Sequence, residues 1–439
     1  MEAVVFDGMK LKVSYQKDFP IPKIVNDDDV IIKVAYAGVC GTDLHIIQGE
    51  FPALKTRPLP LGHEFSGVIL DVGEKSIFKK GQKVAVDPNS GCNLCDNCRM
   101  GNYHHCSVGG MNSTVGLFSN GGWAQYCIVP QSQVYALPDE ITLEQGALCE
   151  PYSCVAHGFD RASPLKVGAK ILVAGAGIIG NLWITTLHLQ GHRDVTVCEM
   201  NKTRLEIVNR LKTGYRLVTP DILEKEKAEF DVIIDCTGVG KVMEVNVQYL
   251  RTGGKYVLFG CCPATHQATL NPFQIYQKEL TIIGININPF SFPNAIGWIK
   301  AMGDRYVNYE SLGIKTYALS EFQNALDDLK KGLVSKAIFK KLYFFGIIKN
   351  EPKLDGVASF NYGVPMATFS SIITPWLPYS IKVLVKSNQT SPNSMGLRRL
   401  ITEFLWLPSA PSSRPGYHIA SKYSSSRIKR AQTRWGCAV

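Results

Sequence analysis

Apolar and polar positions alternate in short runs through the first part of the chain, as in LKVSY at 11–15 and VIIKVAYA at 30–37. A period of two with many β-branched residues predicts strands with one buried face. VAV (84–86) and AQYCIVP (124–130) continue the pattern between turns rich in Gly, Pro and Asn. Residues 1–154 are therefore expected to form a mostly β domain. Beyond residue 170 the texture changes. KILVAGAGIIG runs an apolar strand into closely spaced glycines, a helical stretch follows to about Gln190, and VTVCE predicts a second strand ending at Glu199. FDVIID (230–235), KYVLFG (255–260) and LTIIGI (280–285) predict further buried strands, with VMEVNVQYL a helix between them. Apolar strands alternating with helices predict a doubly wound parallel sheet over 155–289. AIGWIKAM and EFQNALDDLKKG predict amphipathic helices and AIFKKL a closing strand, all within 290–341. From 342 to 439 neither period nor repeat is found in a Ser-, Pro- and Arg/Lys-rich tail, for which disorder is expected.

Charge changes this picture little. Thirteen of the 47 basic residues but only 3 of the 37 acidic ones fall in 341–439, which leaves 34 of each in 1–340. The body is neutral, so the overall excess of +10 argues for no nucleic-acid partner of the body. In the tail the basic residues are expected to be solvated, with nucleic acid or an anionic membrane as the weaker alternative. The longest apolar stretch, near Ile372–Val385, is broken by Pro375, Pro378 and Lys382, so no membrane span is expected. The first residues carry no long apolar run after a basic start. That points to a reducing, cytoplasmic compartment, where clustered cysteines suggest metal more than disulfides.

Three stretches carry candidate chemistry. GVCGTDLH (38–45) and LGHE (61–64) supply Cys40, His63 and Glu64, ligand types suited to a zinc ion with one open position. The alternative for these residues is a buried free thiol and a hydrogen-bonded core histidine. Cys92, Cys95, Cys98 and Cys106 form C-x2-C-x2-C-x7-C on a Gly- and Asn-rich loop. Four thiolates from one short segment can close a tetrahedron around a structural zinc; a redox dithiol or an iron–sulfur cluster are the alternatives. His104 and His105 beside it read as solvent-facing. The third stretch is the glycine loop. Gly175, Gly177 and Gly180, with Ile179 among them, follow a strand, open a helix and precede Glu199, which sits 24 residues after Gly175. This is a dinucleotide fingerprint, in which pyrophosphate approaches the loop and the acid meets the ribose. Glu199 favours NAD over NADP, while Arg204 keeps NADP open. Strand ends face the ligand in such sheets, so Phe259, Gly260, Ile285 and Asn286 are candidate nicotinamide contacts.

Taken together, GVCGTDLH, GHEFSG, DPNSGCNLCDNC, NGGWAQY, CEPYSCVAHG and KELTIIGININPF resemble the zinc-dependent medium-chain alcohol and polyol dehydrogenases, most of all those acting on sorbitol and D-arabinitol. The resemblance spans about 1–341 and implies an α/β protein: a mostly-β GroES-like catalytic domain joined to a Rossmann domain, with 290–341 returning to the first. It implies that Cys40 and His63 ligate a catalytic zinc, that Glu64 or water with Glu150 completes the site, and that the protein is a homodimer or homotetramer. A Glu at position 150, where many simple alcohol dehydrogenases have Cys, favours a polyol substrate. Thr42 would accept the proton of the alcohol and His45 would pass it outward. An L-threonine or butanediol dehydrogenase is the runner-up, and a non-catalytic nucleotide-binding protein a third reading. The tail has no counterpart in the family.

Overall fold

The structure, a computed structural model, describes residues 1–341. The expectations about the tail and about Ile372–Val385 lie outside the described residues. Among the described residues no helix is long and apolar enough to cross a membrane.

Two main sheets organise the described chain. The first has the long strand Asp29–Gly38 at its centre, buried along most of its length. One flank pairs antiparallel with Phe65–Val72, which leads through Lys83–Val86 to Val134–Ala136. The other flank is shared: Tyr126–Pro130 takes its first half and Lys336–Lys340 its last three residues. Lys336–Lys340 also pairs parallel with Ile314–Tyr317. A strand from the end of the described chain is thereby built into the sheet formed at its beginning. Val30, Ile32, Val34 and Ala37 point with Phe65, Trp123, Ala337 and Phe339 into one apolar core.

The second sheet has six strands, all parallel. In chain order they are Ile171–Ala174, Val195–Cys198, Arg216–Val218, Phe230–Asp235, Leu250–Leu258 and Thr281–Gly284. Their order in space is third, second, first, fourth, fifth, sixth, the doubly wound arrangement. The first and fourth strands are neighbours whose helices leave in opposite directions, and this crevice at their carboxyl ends is where such sheets bind ligands. Helix Cys149–Ala162 and helix Phe292–Tyr306 pack with Ile178–Leu189 against one face, through Tyr152, Val155, Trp183, Phe292 and Ile299.

Two elements begin or end where the pattern alone does not put them. The fifth strand starts at Leu250 rather than Lys255 and runs through Gly253 in the left-handed region (φ 74°). A register shift against Phe230–Val232 absorbs the extra residues, so turn-forming Gly253-Gly254 lie inside a strand. The helix before it ends at Asn246, because Val247–Tyr249 tighten into a 3-10 turn that delivers buried Leu250 to the sheet.

Candidate active site

The pairing register of the first sheet builds the site. Ala37 lies opposite Phe65, and the Gly38 N–H donates to the Glu64 carbonyl at 2.7 Å. Cys40, just past the end of one strand, therefore meets His63 and Glu64, just before the start of the other. Gly62, preceding His63, has φ 92°, and a Cβ there would collide with the Trp123 indole. Trp123 is itself fixed, its Nε1–H donating to the Gly38 carbonyl at 2.9 Å. Only a glycine gives this turn both its backbone and its room.

One ligand atom from each of Cys40, His63 and Glu64 lies within 4.8 Å of the others. Small side-chain rotations bring such a trio to the ~2.0–2.3 Å bond lengths of a single zinc ion. Cys40 starts the helix Gly41–Ile47, and its N–H donates at 2.9 Å to Oδ2 of Asp43, in the first turn. The other Asp43 oxygen stands 3.5 Å from Nδ1 of His63. A carboxylate behind one ring nitrogen aims the other at the ion and raises its basicity. Burial works to lower the His63 pKa, but the Asp43 carboxylate and Cys40 override it and hold it well above the usual range.

Glu64 is fully buried and ion-pairs with the equally buried ammonium of Lys336, on the returning strand. Glu150, in the first turn of Cys149–Ala162, is buried as well. Burial pushes its carboxyl up to about 7; the charges of His63 and Lys336 pull the other way and that of Glu64 adds to the rise. The Cys154 thiol donates to Glu150 Oε1 at 3.6 Å. Three buried carboxylates (Asp43, Glu64 and Glu150) and the Cys40 thiol thus gather around His63 and the ammonium of Lys336. A divalent cation fits this excess of acidic donors. Thr42 is half-buried on the same short helix, and His45, three residues on, is partly exposed with Nδ1 2.7 Å from Glu50 Oε2.

The four cysteines of the 92–106 loop also converge, their sulfurs all within 4.8 Å of one another. Cys92 and Cys98 are 3.9 Å apart, close to the ~3.8 Å edge of a tetrahedron with 2.3 Å zinc–sulfur bonds. Backbone N–H groups, that of Gly109 foremost, draw the Cys106 thiol down to about 6 and so favour a thiolate ligand. His104 differs from its expected solvent-facing place: it is half-buried, with its ring against His105 at 3.8 Å and against His157 at 5.3 Å. His105 is exposed.

A cleft of about 800 Å³ runs over the carboxyl ends of the parallel strands. Val39 and Gly41, on either side of Cys40, line it together with Gly175, Gly177, Ile179, Glu199, Arg204, Cys236 and Thr237. Gly180 packs beneath the loop instead, so close that a Cβ would collide with the Gly175 carbonyl oxygen. The Glu199 oxygens accept from the N–H groups of Ala176 and Asn201, each at 2.9 Å, and Arg204 stands 3.7 Å away. Glu199 therefore ties the second strand to the glycine loop. Phe259, Gly260, Ile285 and Asn286 are not among the residues lining this cleft; the Phe259 ring meets Trp183 edge-on at 5.8 Å. The glycine loop and the length of the cleft suit an elongated dinucleotide; Cys40, His63 and Glu64 are not themselves among its lining residues.

Asp43 and Lys336 escape a reading of the sequence. Asp43 lies inside GVCGTDLH but reads as a first-turn acid. Lys336 sits in SKAIFK, where an ammonium entering an apolar closing strand is a signal that some buried acid awaits it.

Comparison with known proteins agrees with this geometry. Residues 26–139 match the alcohol dehydrogenase GroES-like domain and 179–301 the zinc-binding dehydrogenase domain. D-arabinitol dehydrogenase 1 of Uromyces fabae is 30% identical over 71% of this chain and 91% of its own. L-threonine 3-dehydrogenase of Anaeromyxobacter sp. (strain K) is 29% identical over 77% of this chain and 98% of its own. The crystal structure of a zinc-binding dehydrogenase from Sinorhizobium meliloti bound to NADP superposes with a TM-score of 0.69 at 28% identity, over 77% of this chain and 99% of that one. With the metal-ligand trio, the four-cysteine loop and the dinucleotide cleft all present on this fold, the chain belongs to the zinc-dependent, NAD(P)-linked medium-chain alcohol and polyol dehydrogenases.

Proposed function

We propose that the protein reversibly oxidises a secondary hydroxyl of a polyol, of the sorbitol or D-arabinitol kind, to a ketone with NAD as hydride acceptor. One observation carries this reading: Cys40, His63 and Glu64 converge, and the chain neighbours of Cys40, Val39 and Gly41, line the same cleft as Glu199 and the glycine loop. Cys40, His63 and Glu64 would hold the catalytic zinc, and Cys92, Cys95, Cys98 and Cys106 a structural one. The bound groups supply Lewis acidity, which makes a substrate hydroxyl acidic near neutral pH, and a hydride acceptor.

The chain's own residues orient the parts and move the proton. Asp43 holds His63 in the orientation that leaves its second nitrogen free, and Lys336 shares the charge of Glu64. Glu150, buried and with its carboxyl pushed up by that burial, would complete the site with water. Thr42 takes the proton of the hydroxyl. His45, one helical turn on and so on the same face, hands it to Glu50 and solvent. Gly175, Gly177, Ile179 and Gly180 shape the loop for the pyrophosphate, and Glu199 repels a 2′-phosphate, which favours NAD. Arg204 beside it leaves NADP as the weaker cofactor. Phe259, Gly260, Ile285 and Asn286, at or just past the strand ends, would meet the nicotinamide.

The division into a catalytic part (1–154), a dinucleotide part (155–289) and a returning segment (290–341) belongs to the same proposal. A homodimer or homotetramer is supported by Thr281–Gly284, an edge strand whose Ile282 is exposed, as are Phe273 and Tyr276 of the preceding helix. A cytoplasmic location belongs to the same proposal. No nucleic-acid or membrane partner is proposed.

The L-threonine relative gives the runner-up its support, since the same zinc and cofactor serve both substrates. Absorbance of the reduced nicotinamide over D-arabinitol, sorbitol, 2,3-butanediol and L-threonine, with each cofactor and with and without a chelator, separates the readings. Turnover of a polyol that a chelator and Cys40→Ser both abolish is the expected result. Turnover of threonine alone rejects the polyol assignment, and no turnover of any alcohol rejects the enzyme.

A further inference from the structure

A second set of buried polar groups lies apart from the metal ligands, at the point where the chain leaves the parallel sheet. Asn288 is fully buried in the segment between Thr281–Gly284 and helix Phe292–Tyr306. Its Nδ2 donates to Asp87 Oδ1 at 3.1 Å and to Ser153 Oγ at 2.8 Å, and its Oδ1 accepts from Asn89 Nδ2 at 2.7 Å. Ser153 Oγ in turn donates to the carbonyl of Glu150 at 2.6 Å. On the far side the Tyr103 hydroxyl, from the four-cysteine loop, lies 3.1 Å from Asp87 Oδ2 and 3.3 Å from the Asn288 carbonyl. Every polar atom of the Asn288 side chain is used, so its position is over-determined from three directions.

The backbone around it is strained. Ile287 (φ 45°) and Phe290 (φ 55°) both occupy the left-handed region, which a β-branched residue such as Ile287 rarely adopts. Strain of this kind persists only where surrounding contacts enforce it, and it concentrates at functional turns. The strained segment begins directly after Ile285 and Asn286, the residues assigned above to the nicotinamide.

We infer that Asn288 is a positioning residue that fixes the nicotinamide-side turn 285–287 and the first turn of the Glu150 helix against each other, with Tyr103 of the four-cysteine loop as its outer brace. The inference rests on the proposed function for what the two turns do. It makes the four-cysteine loop a support for catalytic geometry, delivered through hydrogen bonds rather than through general stability.

The test compares Asn288→Ala, the conservative Tyr103→Phe and their double variant with the parent at a temperature where all are folded. One readout is kcat on whichever alcohol the parent oxidises; the other is NADH affinity by fluorescence titration, which needs no substrate. For Asn288→Ala, kcat is expected to fall on the order of 100-fold, the effect of a misplacement near 1 Å. NADH affinity is expected to fall about fivefold or more, the worth of a lost hydrogen bond, with both zinc ions retained. Tyr103→Phe should lower kcat about fivefold, and less than fivefold when added to Asn288→Ala, since both act through one network. A folded Asn288→Ala with a lower Tm but unchanged kcat and NADH affinity overturns the inference. If that variant does not fold, unchanged values in Tyr103→Phe overturn it. A parent that oxidises none of the alcohols but binds NADH fails the proposed function alone, and the NADH readout then decides the inference. A parent that binds neither NADH nor NADPH overturns both.

Discussion

Lys336 and Glu64 form a buried pair, each about 1% exposed, beside the candidate metal ligands. Two charges out of water gain from each other only what they lost in hydration, so such a pair adds little net stability while it is whole. Breaking it is another matter. Lys336→Met leaves Glu64 charged and alone, which costs about 3–5 kcal/mol in proteins that have been measured. A bound dication can take over part of the lost neutralisation. The expected outcome is therefore a loss of about 3–5 kcal/mol between chelator-treated variant and chelator-treated parent in denaturant unfolding, and a smaller loss between the zinc-loaded forms. Equal losses in both states would separate Lys336 from the metal. His157 makes a different prediction. Burial first, then the charges of His104, Arg161 and His105, push its pKa down to about 4 from 6.5. The unfolded chain therefore binds a proton at a pH where the folded one does not. The stability this group contributes is complete above pH 6.5 and is lost as the pH falls through about 4. In His157→Gln the decline of Tm between those values should be shallower than in the parent; an identical slope would show that His157 binds its proton equally in the folded and unfolded states.

Elements differ in how much of them the sequence discloses. The strand–glycine loop–helix unit at 170–190 was legible, because the loop's geometry needs glycine at fixed offsets and the flanking apolar runs are long. Its two outer glycines do different work. Gly175 lines the cleft, whereas Gly180 lies under the loop against the Gly175 carbonyl. Gly180→Ala should therefore push the loop outward and weaken NADH binding by tenfold or more, equivalent to about 1.4 kcal/mol, with little change in zinc content; equilibrium titration of NADH and metal analysis check both. The metal trio was legible as residue types, but its geometry was not. It depends on the antiparallel register that sets Ala37 opposite Phe65, and register is fixed by tertiary burial rather than by any local signal. The Asn288 network was illegible for the same reason. Asn, Asp, Ser and Tyr near turns read as surface residues, and only the packing of four separate segments buries them. His104 misled in the other direction, since its burial comes from His157 on a helix about fifty positions later.

At the scale of the whole molecule, the returning segment is the part on which the most depends. Lys336–Lys340 pairs with the end of Asp29–Gly38, the same end that carries Cys40. The strand also delivers Lys336 to Glu64, and Ala337, Ile338 and Phe339 are completely buried. The Lys341 N–H donates to the Ala35 carbonyl at 2.9 Å, and its ammonium donates to the Gly122 carbonyl at 2.7 Å. Among the described residues, both candidate metal sites and the cleft are built from positions before Lys341, and residues 1–340 carry equal numbers of basic and acidic side chains. Two truncations separate the contributions. A chain ending at residue 345 keeps the whole strand and should bind two zinc ions and NADH like the full chain, with unchanged turnover. A chain ending at residue 333 exposes the flank of Asp29–Gly38, removes four buried apolar side chains (Val334, Ala337, Ile338 and Phe339) and strips Glu64 of its counter-ion. A buried Val, Ile or Phe side chain is worth about 1.5–3 kcal/mol, so the loss of three of these approaches the entire ~5–15 kcal/mol stability of a domain. This shorter chain is expected to be insoluble or to lose the Cys40 zinc. Were it instead to fold and hold both ions, the closing strand would be a passenger, and the assignment of Lys336 to the active site would fall with it.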